Sequence, residues 1–240
     1  MPLKITCFVE IERTNSMQLL HQTNIFIHII AGSLALCLGL MTAIFYKKKR
    51  WHVKFGWWFV WMMSLVVVTG LTGIFVFNRN SFLLVITLLS GYNCFSGIRA
   101  VRLKGNKPRL IDLMMPLAII AVGGRYLYSL QSSGLYWSPV VVYSTLGALL
   151  LVTAYDLSKN WQSNIARKKA VYYEHAYKMI SALSGLASAF AGTVFPQYHP
   201  YSQFLPSVLG LCWILAIFIR LNNDSKLQRK QVVSSYAPIG

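Results

Sequence analysis

The sequence predicts an all-α membrane protein, a polytopic bundle of seven transmembrane helices with the amino terminus outside and the carboxyl terminus inside. Hydrophobic residues make up 55% of the 240 residues and charged residues only 12%, whereas a soluble domain carries about a quarter charged residues. The apolar residues form long runs, and the basic residues concentrate in every second connection between those runs. These observations together indicate a helical protein that crosses a bilayer several times.

Seven apolar runs are long enough to cross a bilayer, because a transmembrane helix needs roughly 20 mostly apolar residues. Their continuous apolar character differs from the alternating pattern of a barrel strand, which leaves helices as the spanning form. The predicted spans are 24–46, 55–77, 82–103, 111–130, 137–156, 175–195 and 204–221. They predict a polar amino-terminal segment at 1–23, a transmembrane domain at 24–221 and a basic tail at 222–240.

The distribution of Lys and Arg predicts the orientation, because basic connections stay on the cytoplasmic side. The connections after spans one, three, five and seven are basic. The opposite connections, NRNS, SLQSSGLYWS and PQYHPYSQ, contain a single Lys or Arg, which is Arg79. This bias predicts an outside amino terminus and an inside carboxyl terminus, which requires an odd number of spans. Seven spans in this orientation predict a multi-pass membrane protein.

The first basic connection, KKKRWHVKFGWW, runs directly into a block of aromatic residues. A formal charge of +17 could indicate nucleic-acid binding, since basic patches neutralise phosphates. Here the charges lie between apolar runs, so they predict a membrane edge with tryptophans in an interfacial belt. The predicted partner is the lipid bilayer, with no nucleic acid, and His52 has no role in this interpretation.

Spans one to three and spans five to seven share a plan that predicts an internal repeat. Each unit has a basic connection, a His at the start of the outward span and an Arg at the end of the third span. His52 and Arg99 would correspond to His175 and Arg220 under a pseudo-two-fold axis, as in many membrane folds built from repeats. The alternative is that basic connections produce this plan by chance.

Several polar residues near the cytoplasmic ends of the spans form a candidate cofactor site. Neutral imidazoles from two helices can ligate a haem iron or a transition metal, while carboxylates orient their other ring nitrogens. An Arg nearby suits haem propionates or an anionic substrate. The candidate residues on this side are His52, Arg99, Asp156, Glu174 and His175. His28 is a further candidate on the outer side, and the candidate cofactors are haem b or a transition metal.

Other interpretations of these residues stay open. Glu174 and Lys178 are four residues apart and could form an exposed pair worth a few tenths of a kcal/mol, and His52 could be an interfacial histidine with its ring tip in water. The same polar residues could serve a small-solute transporter or sensor. The chain could also be an accessory subunit that packs against a membrane partner and has no ligand. No hydrolase or phosphate-binding signature is present, and the sequence leaves open whether the protein is an enzyme.

Five segments, taken in order, resemble a family of bacterial multi-pass membrane proteins that is defined by a domain of unknown function. They are IHIIAGSLALCLGLMTAIF, KKKRWHVKFGWW, SGYNCFSGIRAVRLKGNKPRLIDL, AYDLSKNWQ and YYEHAYKMISALSGLASAF. The matching residues are His28, Ala31, Gly32, His52, Gly56, Tyr92, Gly97, Arg99, Ala100, Asp156, His175 and Met179, whereas Val53 stands where the family has Arg. The resemblance implies a helical inner-membrane protein and supplies no activity, cofactor or substrate.

Overall fold

The computed structural model describes the backbone of residues 2–77, 82–133 and 139–235, and the side chains of residues 16–77, 84–126, 128 and 139–223. The described backbone is helical apart from short connections and contains no strand, which confirms the all-α class. The helices are α1 (Pro2–Ile44), α2 (Lys49–Phe75), α3 (Phe82–Leu103), α4 (Leu110–Ser133), α5 (Pro139–Ser158), α6 (Asn164–Val194) and α7 (Tyr201–Ser235). Short 3-10 helices, Phe45–Lys47 and Pro196–Tyr198, precede α2 and α7.

The chain forms two units. The first consists of Met1–Gly91 with Val122–Leu149, and the second of Tyr92–Ala121 with Leu150–Gly240. The first unit therefore contains α1 and α2, the second contains α6 and α7, and α3, α4 and α5 contribute to both.

In the first unit, α1 packs along α2. Ala31 and Ala35 lie one turn apart on α1 and are 1% and 0% exposed, and α2 buries Phe59, Met63 and Val66. Small side chains on one helix let a neighbouring helix approach closely, which is how helices commonly pack in membranes.

In the second unit, α6 and α7 pack so closely that glycine is needed at the contact. A Cβ atom at Gly210 would lie 2.9 Å from the Cβ of Ser184, shorter than side-chain atoms normally approach. The hydroxyls of Ser188 and Ser207 are 2.9 Å apart and join the same two helices by a hydrogen bond. Close approach and interhelical hydrogen bonds are the interactions that hold helices together in lipid.

Five of the described helical segments are long and apolar enough to cross a membrane. They are Ser16–Lys47, Lys49–Phe75, Leu84–Leu103, Pro139–Ser158 and Tyr201–Asn223. Only 11% of the most apolar stretch of the last segment is buried inside the protein, so its apolar side chains are available to lipid. Apolar helices able to span a membrane are thus confirmed, whereas seven spans and the orientation of the termini stay predictions because α4 and α6 are not among the five.

The helices extend beyond several predicted boundaries. The predicted polar segment 1–23 is helical from Pro2 onward, and the predicted tail at 222–240 continues α7 as far as Ser235. The first residue of α6 is Asn164, well before the predicted span at 175–195, because the hydroxyl of Ser163 accepts a hydrogen bond from the Ala166 amide at 3.2 Å. Such a serine cap satisfies a backbone donor at the start of a helix, so the charged residues that follow are helical.

Candidate functional site

Four charged side chains of the second unit meet in a charge quartet formed by Asp156, Lys159, Glu174 and Lys178. The Lys178 Nζ atom lies 2.5 Å from Asp156 Oδ1 and 2.6 Å from Glu174 Oε1. The Lys159 Nζ atom lies 2.6 Å from the same Asp156 oxygen and also contacts the same Glu174 oxygen. Both ammonium groups therefore bridge one pair of carboxylate oxygens, and two positive charges balance two negative ones.

The quartet is almost completely removed from solvent. The Lys178 side chain is 0% exposed, and those of Asp156, Glu174 and Lys159 are 5%, 8% and 12% exposed. Burying an ion costs several kcal/mol unless partners compensate for the lost hydration. Each member of the quartet is compensated by two opposite charges, so the removal of any one leaves an unbalanced buried charge.

Asp156 also binds α3 through its second oxygen. The hydroxyls of Tyr92 and Ser96, one turn apart on α3, donate hydrogen bonds to Asp156 Oδ2 at 2.6 Å and 2.7 Å. The two ammonium groups of the quartet lie 5.4 Å and 5.7 Å from the centre of the Tyr155 ring, within the range of cation–π attraction. The carboxylate of Asp156 is thus held in place from α3, α5 and α6.

Lys159 lies just beyond the end of α5, and its charge state follows from its neighbours. Burial alone would lower the pKa of Lys159, but the negative charges of Asp156 and Glu174 outweigh burial and raise the pKa of Lys159 above its ordinary value. The Lys159 amine is therefore protonated at neutral pH. A proton that the quartet exchanges near neutral pH must then be carried by another member.

Two small cavities of about 20 Å³ each adjoin Lys159. One is also lined by Tyr92, Arg99 and Asp112, and the other by Asn106, Gln162 and Arg167. A cavity of this size with several polar neighbours is sufficient for one water molecule, which needs about 10–15 Å³. Lys159 is therefore the quartet member with space for water on two sides.

Arg99, which the sequence suggested for an anionic ligand, is paired with Asp112. Its Nε and Nη2 atoms donate to the two carboxylate oxygens of Asp112 at 2.6 Å and 2.7 Å, the planar two-bond geometry of strong arginine–carboxylate pairs. The backbone amide of Arg109 donates to the same carboxylate at 2.8 Å. This pair joins the end of α3 to the start of α4.

Arg167, which the sequence did not single out, joins two connections to the start of α6. Its guanidinium donates to the carbonyls of Gly105 and Lys159 at 3.2 Å each, and it also contacts the Gln162 carbonyl and the Asn164 side chain. The residue is only 6% exposed. We call this arrangement the Arg167 clamp; it fastens the α3–α4 and α5–α6 connections next to the quartet.

The search for relatives adds no assignment. None of the protein-family models, curated proteins or solved structures that were compared with this chain matches it. The resemblance of its motifs to a bacterial membrane-protein family stays a prediction, and its function is inferred from its own side chains.

Two of the candidate histidines are bonded to backbone carbonyls. The Nδ1 atom of His175 lies 2.9 Å from the Gly97 carbonyl, and that of His52 lies 2.9 Å from the Thr42 carbonyl. Since a carbonyl only accepts, each Nδ1 carries a hydrogen in these contacts. Glu174 and Asp156 bind lysines in the quartet, and a role of carboxylates in orienting the histidine rings stays a prediction.

The candidate site residues are distributed over both units. His28 and His52 belong to the first unit, and the Nδ1 atom of His28 lies 2.8 Å from the Thr69 hydroxyl. The candidate residues of the second unit are Arg99, Asp156, Glu174 and His175. Among the residues whose side chains are described, no three His, Cys, Asp or Glu side chains come together in a group that could hold a metal ion.

Proposed function

We propose that this chain is a multi-pass protein of the cell inner membrane that transports or senses a small protonatable solute, with the charge quartet as its coupling site. The observation that carries this proposal is the fully buried amine of Lys178, shared between Asp156 and Glu174. Ionisable groups at membrane depth are costly and commonly mark the route of a proton or a solute. Of the functions that the sequence left open, this one makes most use of the quartet.

A purely structural role explains the quartet less well. Replacing a buried ion network by apolar side chains of similar volume is often neutral or even stabilising. Four charges held together inside an apolar bundle are therefore weak support for a role in stability alone. The presence of four buried charges instead favours a function that needs a change of charge.

Loss of the negative charge of one carboxylate of the quartet supplies such a change. With Glu174 neutral, the ammonium groups of Lys159 and Lys178 share Asp156 alone, and their mutual repulsion favours the departure of one of them. Lys159 is the one able to leave, because it follows the last turn of α5 and adjoins two cavities. Its departure opens space beside Asp156 for a solute with a cationic or hydrogen-bond-donating group, and its return restores the quartet.

Proton movement in reconstituted vesicles tests this proposal. Wild-type protein is placed in liposomes that enclose a pH-sensitive dye, and small amines, amino acids and carboxylic acids are added in turn. We expect at least one class of solute to move protons faster through liposomes that contain the wild-type protein than through empty liposomes. The double variant Lys159→Met/Glu174→Gln is expected to fall to the level of empty liposomes, because it removes the exchangeable pair while the balanced pair of Asp156 and Lys178 remains.

The matched control is Lys169→Met, which removes an exposed lysine from the same helix and is expected to keep the wild-type rate. Proton movement that is equal in wild type and the double variant for every solute, zero movement included, contradicts the proposal.

A redox role with haem b or a transition metal is the second candidate. His52 and His175 each donate a ring hydrogen to a backbone carbonyl, the orientation that metal-ligating histidines commonly adopt. A haem group would supply one-electron transfer. Reduced-minus-oxidised spectra with metal analysis of the detergent-purified protein test this role, which predicts a haem band that is lost in His52→Ala and His175→Ala.

The control for the spectra is His199→Ala, because His199 lies in the exposed connection before α7 and bonds the Gly192 carbonyl. A featureless spectrum without bound metal rejects the redox role. Stoichiometric co-purification of a membrane protein, without either activity, would instead support an accessory subunit.

A further inference from the structure

A concentration of positive charge lies where α1 passes into α2, and we call it the basic tip. Its members are Lys47, Lys48, Lys49, Arg50 and Lys54, all of them exposed. The sequence contains no Asp or Glu between Glu12 and Asp112, and none at 122–149. The first unit therefore has only two acidic residues, Glu10 and Glu12, which lie roughly 50 Å from the tip along α1 at 1.5 Å per residue.

Within its own unit, the basic tip therefore has no acidic residue closer along the chain than Glu12. The acidic side chains that balance lysines and an arginine in the second unit, such as Asp156 and Asp112, have no equivalent here. Neutralisation of the five cations must come from outside the unit, and the adjacent apolar helices indicate a membrane as the source.

The start of α2 is held in a defined position next to these cations. His52 donates from Nδ1 to the Thr42 carbonyl at 2.9 Å and thereby ties α2 to the end of α1. The rings of Trp51 and Phe55 stack with their centres 5.6 Å apart, and the Lys54 ammonium lies 5.6 Å from the centre of the Trp51 ring. The cations of the basic tip thus lie beside aromatic rings that are packed against one another.

An apolar groove continues along α2 directly beyond the basic tip. Its volume is about 480 Å³, and it is lined by Trp57, Trp58, Trp61 and Met62. Trp58 and Trp61 are 53% and 66% exposed. At 1.5 Å per residue, the groove begins about 5 Å from Lys54 along the helix. A cationic surface followed at once by an apolar groove matches a molecule with an anionic head and a hydrocarbon chain.

We propose that the basic tip and this groove together bind one anionic phospholipid, with its phosphate at the cations and one acyl chain along the tryptophans. Clusters of Lys and Arg beside a membrane helix attract anionic headgroups, and tryptophan rings lie at the same interface. The groove distinguishes this site from a merely basic surface, because an acidic peptide would use the cations and leave the groove empty. The site is independent of the charge quartet.

Quenching of tryptophan fluorescence by brominated lipid tests the site. The protein is reconstituted in phosphatidylcholine vesicles that contain increasing fractions of phosphatidylglycerol with brominated chains. For wild type we expect half-maximal quenching at a lower fraction than with brominated phosphatidylcholine. In Lys48→Gln/Lys49→Gln/Arg50→Gln the required fraction is expected to rise about tenfold or more, because each cation near the headgroups contributes to attraction.

The matched control, Lys107→Gln/Lys168→Gln/Lys169→Gln, removes the same charge from exposed positions of the second unit and is expected to behave as wild type. Equal quenching of wild type by the two brominated lipids overturns the proposal. An equal loss of quenching in both triple variants also overturns it, because the net charge of the protein, and not a specific site, would then explain the effect. An acidic peptide that binds the wild-type protein but not the Lys48→Gln/Lys49→Gln/Arg50→Gln variant, and leaves quenching by the lipid chain unchanged, would overturn the proposal and assign the tip to a protein partner.

Discussion

Replacement of Lys178 by Met is expected to lower the free energy of unfolding by about 3 to 5 kcal/mol, the usual cost of removing one partner from a buried ion pair. Methionine fills a similar volume, so the loss comes from charge and leaves no cavity to explain it. Asp156 and Glu174 would retain only Lys159 between them, and one buried negative charge would be unbalanced. Of the four members, Lys178 is the one with no exposure at all, which makes its removal the most costly.

The midpoint of thermal unfolding in mild detergent measures this effect, and a loss of that size corresponds to a fall of roughly 10 °C for a chain of this length. The variant Lys178→Met/Glu174→Gln is expected to regain part of the loss, because Asp156 and Lys159 then balance each other. Lys169→Met, at an exposed position of α6, should stay within about 0.5 kcal/mol of wild type. If Lys178→Met is as stable as Lys169→Met, the quartet does not form as described.

The membrane helices could be predicted because their composition alone sets them apart. The span predicted at 82–103 coincides with α3, Phe82–Leu103, and the span predicted at 137–156 differs from α5, Pro139–Ser158, by two residues at each end. Hydropathy gives no comparable signal for helical segments that continue beyond the apolar runs. The first eleven residues of α6 were missed for this reason, although Ser163 offers a serine cap before a charged run.

The sequence indicated some members of the quartet and not their arrangement. Asp156 and Glu174 were both predicted near the inner ends of their helices, but Glu174 and Lys178 were also consistent with an exposed pair. The structure excludes that reading because α3 approaches α6 at Gly97, where a Cβ atom would lie 3.1 Å from the Cβ of Lys178. Spacing along one helix cannot show which of its faces another helix will cover.

Arg167 illustrates the same limit in a basic stretch. It stands beside Lys168 and Lys169 in the sequence, and composition gives no reason to separate the three. Only Arg167 is buried, because it shares with Val171 and Lys178 the face of α6 that the second unit covers. Helical spacing from Val171 back to Arg167 is the one signal that could have identified it.

Replacement of Gly105 by Ala is expected to cost about 2 to 4 kcal/mol of unfolding free energy. Gly105 lies in the α3–α4 connection with a φ of +80°, where an L-residue is strained. A Cβ atom there would also lie 2.7 Å from the Cα of Lys168 and 2.8 Å from its backbone nitrogen. Backbone atoms of α6 cannot rotate away as a side chain can, so α6 or the connection must move, and the bond from Arg167 to the Gly105 carbonyl is lost with that movement.

Gly124→Ala is the matched control, because a Cβ atom at Gly124 on α4 would meet nothing within 4 Å. Alanine is favoured over glycine inside a helix by about 1 kcal/mol, so this variant should be as stable as wild type or more so. Thermal unfolding of both variants, together with hydrogen exchange of the backbone amides at 159–163, measures the difference. Faster exchange there in Gly105→Ala is expected, since the Arg167 clamp fastens that connection to the α3–α4 turn. If Gly105→Ala has the same unfolding midpoint and the same amide exchange rates as Gly124→Ala, the α3–α4 turn does not pack against α6. Arg167 then cannot hold the two connections together.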